Sequence, residues 1–253
     1  MIDRIACGRR RRRLASWIVA FASACLLLAC QSTPPPNPLA ARSRLEPLLE
    51  AWERARTEDG GCEERGPTET PLTDCEAVSN GIARLVIEFP RDPDILLAAA
   101  VVDFERGRKG NALKTLDVLR SVQAIHPEAA ILRARIAIEE GNLRFARRLL
   151  NEQRELTPDH AGLWEMLASV AYLEEEYVEA DLTLGIASRL GAPAWRVAYH
   201  RGLVAEASSQ PGRAIRAYEA CLAEAPDFAP ARSRLRALVV MGEDWRGAES
   251  TPR

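Results

Sequence analysis

The chain has 253 residues, 47% hydrophobic and 28% charged, with 34 basic against 36 acidic side chains and a net charge of −2. Removing the six Arg and one Asp of residues 1–29 leaves 28 basic against 35 acidic over 224 residues, a net charge of −7. That balance argues against nucleic acid as a partner, because phosphate binding rests on Lys and Arg, and the length suits one elongated domain.

The N-terminus reads as a targeting segment. Positions 9–13 are all Arg, and the sixteen residues 14–29 are mostly apolar. A basic run before a short apolar run is a secretory signal, and sixteen residues fall short of the ~20 a helix needs to span a bilayer. The string Leu27-Leu28-Ala29-Cys30 resembles a bacterial lipobox, which implies cleavage after residue 29 and lipidation of Cys30 with acyl chains such as palmitate. Cys25, after "ASA", is a second candidate, but it would leave the apolar "LLLA" at the start of the mature chain. An uncleaved anchor and an ordinary signal peptide are the alternatives. Residues 30–38 contain "QSTPPPNP", a Pro-rich tether whose extended geometry spans roughly 25 Å. Gln31, where Asp is absent, resembles the sorting signal of outer-membrane lipoproteins. The resemblance implies a periplasm-facing protein in the bacterial cell envelope.

Residues 39–92 read as a divergent helix pair. Leu45, Leu48, Leu49 and Trp52 have helical spacing over 39–57, as do Val78, Ile82, Leu85 and Val86 over 74–89. Between them lies the insertion "EDGGCEERGPTETPLTD", flanked by Cys62 and Cys75. In an oxidising compartment these two are the natural disulfide pair, closing a loop worth about 3 kcal/mol. A metal site is the rival reading, and no second pair of Cys or His lies nearby.

A 34-residue period then governs the chain. Ala112, Ala146, Ala180, Ala214 and Ala248 stand in register; so do Ala100, Ala134, Ala168 and Gly202, and Leu116, Leu150, Leu184 and Tyr218. Small residues let two helices approach to about 8–10 Å, and the larger residue fills the space beyond. The period and pattern resemble the tetratricopeptide repeat, a helix–turn–helix unit. Four units follow over 93–228: 93–126, 127–160, 161–194 and 195–228. The third matches the family pattern best, through Trp164, Leu167, Ala168, Tyr172, Tyr177, Ala180 and Ala187. The second departs from it at Arg133 and Gln153. The resemblance implies an all-α fold, a right-handed α-solenoid of antiparallel helix pairs. Residues 229–253 should supply a capping helix over 229–241 and a short tail, with Ala248 in register but no helix to complete.

Capping chemistry agrees with these boundaries. Asp92 precedes Pro93, an N-cap carboxylate before a proline at the first helical position. Asp159 and Asp227 are expected to cap their helices likewise. Gly107, Gly141 and Gly191 fall in turns, where a left-handed residue ends a helix. His126 and His160 hold the same last position of successive repeats; they read as turn or packing residues, with a metal pair as the rival.

The resemblance also carries a binding face. Positions 2, 5, 9, 12 and 13 of helix A line the concave groove in the family. On this sequence they include Leu97, Val101, Phe104, Ile131, Arg135, Ile138, Glu165, Tyr172, Arg196, Tyr199 and Leu203. The Asn residues that chaperone-binding members use to clamp a terminal carboxylate are absent. The mixture of apolar, aromatic and isolated basic residues suits an amphipathic helix or extended peptide, anchored by Phe104, Tyr172 and Tyr199.

Enzyme chemistry finds no foothold. With His126, His160 and His200 alone there is no HExxH helix, and there is no Gly-rich phosphate loop or GxSxG elbow. Glu174-Glu175-Glu176 and Glu139-Glu140 read as solvated charge, and Cys221 as a small core residue. No catalytic residue, metal, cofactor or small-molecule substrate is therefore expected. The expectation is a membrane-tethered scaffold or assembly factor of the envelope, with protein partners. The alternative is a structural or accessory subunit of an envelope, pilus or secretion complex, favoured if large apolar patches cover the convex face.

Overall fold

The computed structural model describes residues 38–58 and 74–249. The leader, Cys30, the tether before Pro38, and Cys62 with the rest of 59–73 lie outside the described residues. Among the described residues there are eleven helices: α1 (Pro38–Glu58), α2 (Asp74–Glu88), α3 (Pro93–Glu105), α4 (Lys109–Val122), α5 (Pro127–Glu139), α6 (Leu143–Leu156), α7 (Ala161–Leu173), α8 (Tyr177–Arg189), α9 (Ala194–Ala207), α10 (Pro211–Glu224) and α11 (Ala229–Glu249). They pack as successive antiparallel pairs in a right-handed α-solenoid. No described helix is long and apolar enough to cross a membrane.

Burial follows the 34-residue ladders. Ala112, Ala146, Ala180 and Ala214 are fully buried, and Leu116, Leu150, Leu184 and Tyr218 nearly so. The second ladder, Ala100, Ala134, Ala168 and Gly202, is buried as well. The core divides into five clusters among the described residues, each drawn from one helix pair and the first helix of the next. The second, for example, joins Ala100 of α3, Leu116 of α4 and Ile136 of α5. The last joins Ala205 of α9, Tyr218 and Cys221 of α10, and Ala231 of α11. No pair could bury its apolar face alone; stacking completes each cluster.

The fourth unit solves the crossing differently. A Cβ built on Gly202 would lie 2.3 Å from Tyr218 Cε1, so the Tyr ring occupies the space that Ala fills in the other repeats. Glycine there makes room for tyrosine.

The turns inside the four units share one backbone. Gly107 and Gly141 have φ of +76° and +75°, and Glu175 and Ser209, one and two periods on, have 63° and 57°. In each, the next residue's N–H bonds back to a carbonyl near the end of helix A: Arg108 to Asp103, Asn142 to Ala137, Glu176 to Ala171 and Gln210 to Ala205, all 2.8 Å. This is the Schellman closure of a helix C-terminus.

The helix starts differ from expectation in two places. Asp92 does cap α3, accepting from Asp94 N and Ile95 N at 3.1 Å. Asp159, however, lies exposed in its turn, and His160 occupies the N-cap position of α7, making no capping bond from its side chain. The helix begins at Ala161, two residues after the Asp. Asp227 is exposed too, 3.4 Å from the guanidinium of Arg232. Instead Asn142 caps α6 by accepting from Phe145 N at 3.2 Å, and the His126 ring accepts from Ala129 N at 3.4 Å. The terminal helix also runs past 241 to Glu249, so Ala248 lies within α11. Pro47 sits exposed inside α1 without ending it.

Candidate functional site: the concave face

The first helices of the pairs, α1, α3, α5, α7 and α9, present one face. Of the residues expected there, Arg135 is exposed, while Leu97, Val101, Ile131, Ile138, Tyr172, Arg196, Tyr199 and Leu203 are half-buried. Phe104 and Glu165 are buried, each 8% exposed. These two correct the expectation, and for both the cause is a neighbouring arginine. The Arg135 guanidinium lies 4.8 Å from the centroid of Phe104, roofing the ring that α3 contributes to the core. Phe104 is a floor under a cation, not an anchor for a partner. Arg196 of α9 reaches both carboxylate oxygens of Glu165 on α7 at 2.6 Å, with His200 Nε2 at 3.7 Å. Burial holds His200 below the ordinary imidazole range, and Glu165 only partly offsets it.

The other two expected anchors belong to aromatic clusters. Tyr172 lies 6.1 Å from Tyr177, centroid to centroid. Tyr199 packs edge-on against Phe228 at 4.9 Å and lies 6.0 Å from Tyr218. Beneath it, the Tyr218 hydroxyl donates to Glu206 at 2.8 Å, and Arg234 of α11 donates to the same carboxylate at 2.9 Å. Burial, then the bond to Glu206, push the Tyr218 phenol far above its ordinary range.

At the N-terminal end the face opens into a cleft of about 470 Å³ between α1 and α3. Leu49, Leu97 and Val101 line it, with Glu46, Glu53 and Asp94 at its rim. Its floor is fixed by Trp52, 3% exposed, whose indole N–H donates to Glu105 at 2.8 Å. Sequence reasoning placed Leu97 and Val101 on this face but missed the contribution of α1. The insertion breaks the 34-residue register there, so no ladder leads back to Leu49 or Trp52. Cys75, at the start of α2, is buried in the same N-terminal cluster.

Charged groups also join neighbouring repeats at two junctions, with His126 and His160 in the turns as expected. Glu128 at the start of α5 lies between His160 Nε2 at 3.0 Å and His126 Nδ1 at 3.2 Å. Partial burial raises its carboxyl, but a bond from its own backbone N–H and the two rings outweigh that and leave it below the ordinary range. The carboxylate thus bonds the His160 ring across the repeat and lies beside His126, whose Nδ1 accepts from Ala129 N. No group of three or more metal-ligating side chains occurs among the described residues. Glu174 and Glu176, expected as solvated charge, both bind Arg147 of α6, with Glu179 3.0 Å from the same guanidinium. Glu139 pairs with Lys109 at 2.6 Å. The acids at the ends of these helices fasten neighbouring units together.

No protein-family model and no curated protein matches the chain. Solved structures do. A thermophilic tetratricopeptide-repeat protein of Thermus thermophilus is 16% identical, with a TM-score of 0.65 over 79% of this chain and 99% of that one. A tetratricopeptide repeat protein of Parabacteroides merdae is 17% identical, with a TM-score of 0.61 over 80% of this chain and 76% of that one. The Cut9–Hcn1 hetero-tetramer of the APC/C gives 0.63 at 13% identity; the match covers 90% of this chain and only 46% of that one. At such identities the likeness is one of fold. Together with the 34-residue ladders of buried residues, it shows that this chain is built on the tetratricopeptide-repeat fold.

Proposed function

We propose that the protein is a membrane-tethered scaffold or assembly factor that holds a helix or extended peptide along its concave face. The supporting observation is the unfilled face itself. Half-buried apolar and aromatic side chains run from the α1–α3 cleft to Tyr199 and Leu203, with Arg135 the exposed charge among the groove residues. Half-buried side chains of this kind gain by further covering, at about 25 cal/mol per Å² of apolar surface. Photo-crosslinking residues placed at Leu97, Ile131 and Leu203 in the native membrane should label one common partner. Crosslinks only from exposed α4 positions such as Arg120 would sink the reading.

The tether and the loop belong to the same proposal. Acylation at Cys30 anchors the solenoid, since several acyl chains at about 0.8 kcal/mol per buried methylene hold firmly. Cys30→Ser should release the protein from membranes. Cys62 and Cys75 form a disulfide, and both should resist alkylation until reduced.

A second reading, a subunit covered on its convex side as well, has one observation in its favour. Val178 and Leu182, one turn apart on α8, are 77% and 68% exposed.

A further inference from the structure

Four arginines gather around α8, α9 and α10. Arg201 of α9 and Arg213 of α10 share one carboxylate, Asp181, at 3.4 and 3.5 Å. Arg216 is exposed on α10, and Arg189 on α8 points its guanidinium at the same spot beside Gly185 as Arg201 does, each 3.7 Å from where a Cβ would be. Neither Arg189 nor Arg216 has an ion pair among the described residues. Four guanidinium groups thus answer to one acid, in a protein whose portion beyond residue 29 carries −7.

The arginines surround a depression. Arg201, Arg213 and Arg216 rim a cavity of about 360 Å³ floored by small side chains such as Ala198, Ala217 and Ala220. Arg201 and Arg213 also border an adjoining hollow of about 180 Å³, whose far side is Val178 and Leu182. Apolar residues and cations therefore alternate along one strip. The strip lies on the side of α9 opposite Tyr199 and Leu203, as their two-residue offset from Arg201 on a 3.6-residue helix requires.

We infer that this strip is a second binding surface, which takes an acidic segment of a protein partner bearing aliphatic side chains. Guanidinium groups present planar forks that match carboxylates two bonds at a time. Val178 and Leu182 accept the aliphatic residues, and the small-residue floor gives the acidic side chains room to reach the forks. A flat membrane surface would meet only the rim of such a depression. The concave-face proposal is not needed for this inference.

The test uses the full mature protein and a short fluorescein-labelled peptide built from Glu and Leu, followed by anisotropy. Binding should weaken about tenfold or more in Arg201→Glu/Arg213→Glu/Arg216→Glu, as expected when charge pairs across an interface are reversed. It should weaken less in Arg216→Gln, a single exposed change that keeps the assay informative if the triple variant misfolds. Lys114→Glu/Arg120→Glu on α4 and a Lys–Leu peptide serve as controls; the first should leave affinity unchanged and the second should not bind. Absence of peptide binding by the unaltered protein, or equal binding by it and both arginine variants, overturns the inference. So does arginine-dependent binding to phosphatidylglycerol vesicles without peptide binding, which would make the surface a lipid-headgroup site.

Discussion

The first two repeats and the last two run the same backbone through the same turn with different residues. Gly107 and Gly141 take the left-handed conformation without a Cβ to oppose it; Glu175 and Ser209 take it regardless. The difference teaches that the turn is imposed by the packing of whole helices, not chosen locally. An L-residue in that region costs about 1–2 kcal/mol. The Schellman bonds at Glu176 and Gln210 hold the turn closed at the same 2.8 Å as in the glycine repeats. In the third repeat the neighbouring Glu174 and Glu176 also bind Arg147, which ties the turn to α6. The fourth repeat differs again, with Gly202 and Tyr218 in place of the Ala and Leu of the other three.

The largest break in that comparison should come from Gly202→Ala. The new Cβ would strike the buried Tyr218 ring, and overpacking of this kind costs about 1–3 kcal/mol. Adding Tyr218→Leu restores the pair used by the other repeats and should recover most of the loss. Because each unit touches only its neighbours, amide exchange should quicken in α9 and α10 and hardly change in α3 and α4. A loss spread evenly over the chain, or no rescue by the double variant, would refute this account of the fourth repeat.

Next come the turns. Gly141→Ala should lower the denaturation midpoint, at a cost of about 1 kcal/mol, although its Cβ would meet nothing within 4 Å. Glu175→Gly and Ser209→Gly should shift the other way, with Ser209→Gly gaining more because its neighbour Gln210 holds only Arg213 of its own α10, whereas Glu174 and Glu176 bind Arg147 of the preceding repeat. If all three changes destabilised alike, the comparison between early and late repeats would fail.

The smallest effect is one of pH. The Tyr218 phenol is held in its neutral form, above its ordinary range, by burial and by Glu206. A raised pKa in the fold means that its stability is fully present below about pH 10, the ordinary tyrosine value, and fades as pH climbs beyond it. Thermal melts should therefore fall more steeply above that pH in the parent than in Tyr218→Phe. Equal alkaline slopes would remove Tyr218 from the explanation.

Much of the fold is legible in the sequence, for a definite reason. A period of 34 fixes which residues meet at helix crossings, so Ala112, Ala146, Ala180 and Ala214 announce the core directly. Glu175 and Ser209 do not stand out as left-handed residues because composition signals that conformation only through Gly; register, carried forward from Gly141, finds both. The concave face is legible as a set of positions but not as a surface. Whether Phe104 or Glu165 faces solvent depends on where an arginine of the next repeat lays its long side chain. Glu174 and Glu176 look like solvated charge in the sequence because their partner, Arg147, sits about 30 residues away. The end of α11 is not legible because the apolar spacing that marks the helix, Leu235, Leu238 and Val239, stops well before Glu249.

The straddling of each core cluster across a pair and the next first helix has a consequence for how this molecule can change length. A cut between units never falls between two finished cores; it always leaves one cluster open. Loss of everything after α10 would uncover the side of the last cluster that Ala231 closes, beside Tyr218 and Cys221. Duplication or deletion of 34 residues, by contrast, carries one complete joint with it and returns the same seam. Along the described residues the units are links that share their joints, and lineage or laboratory can add them only whole.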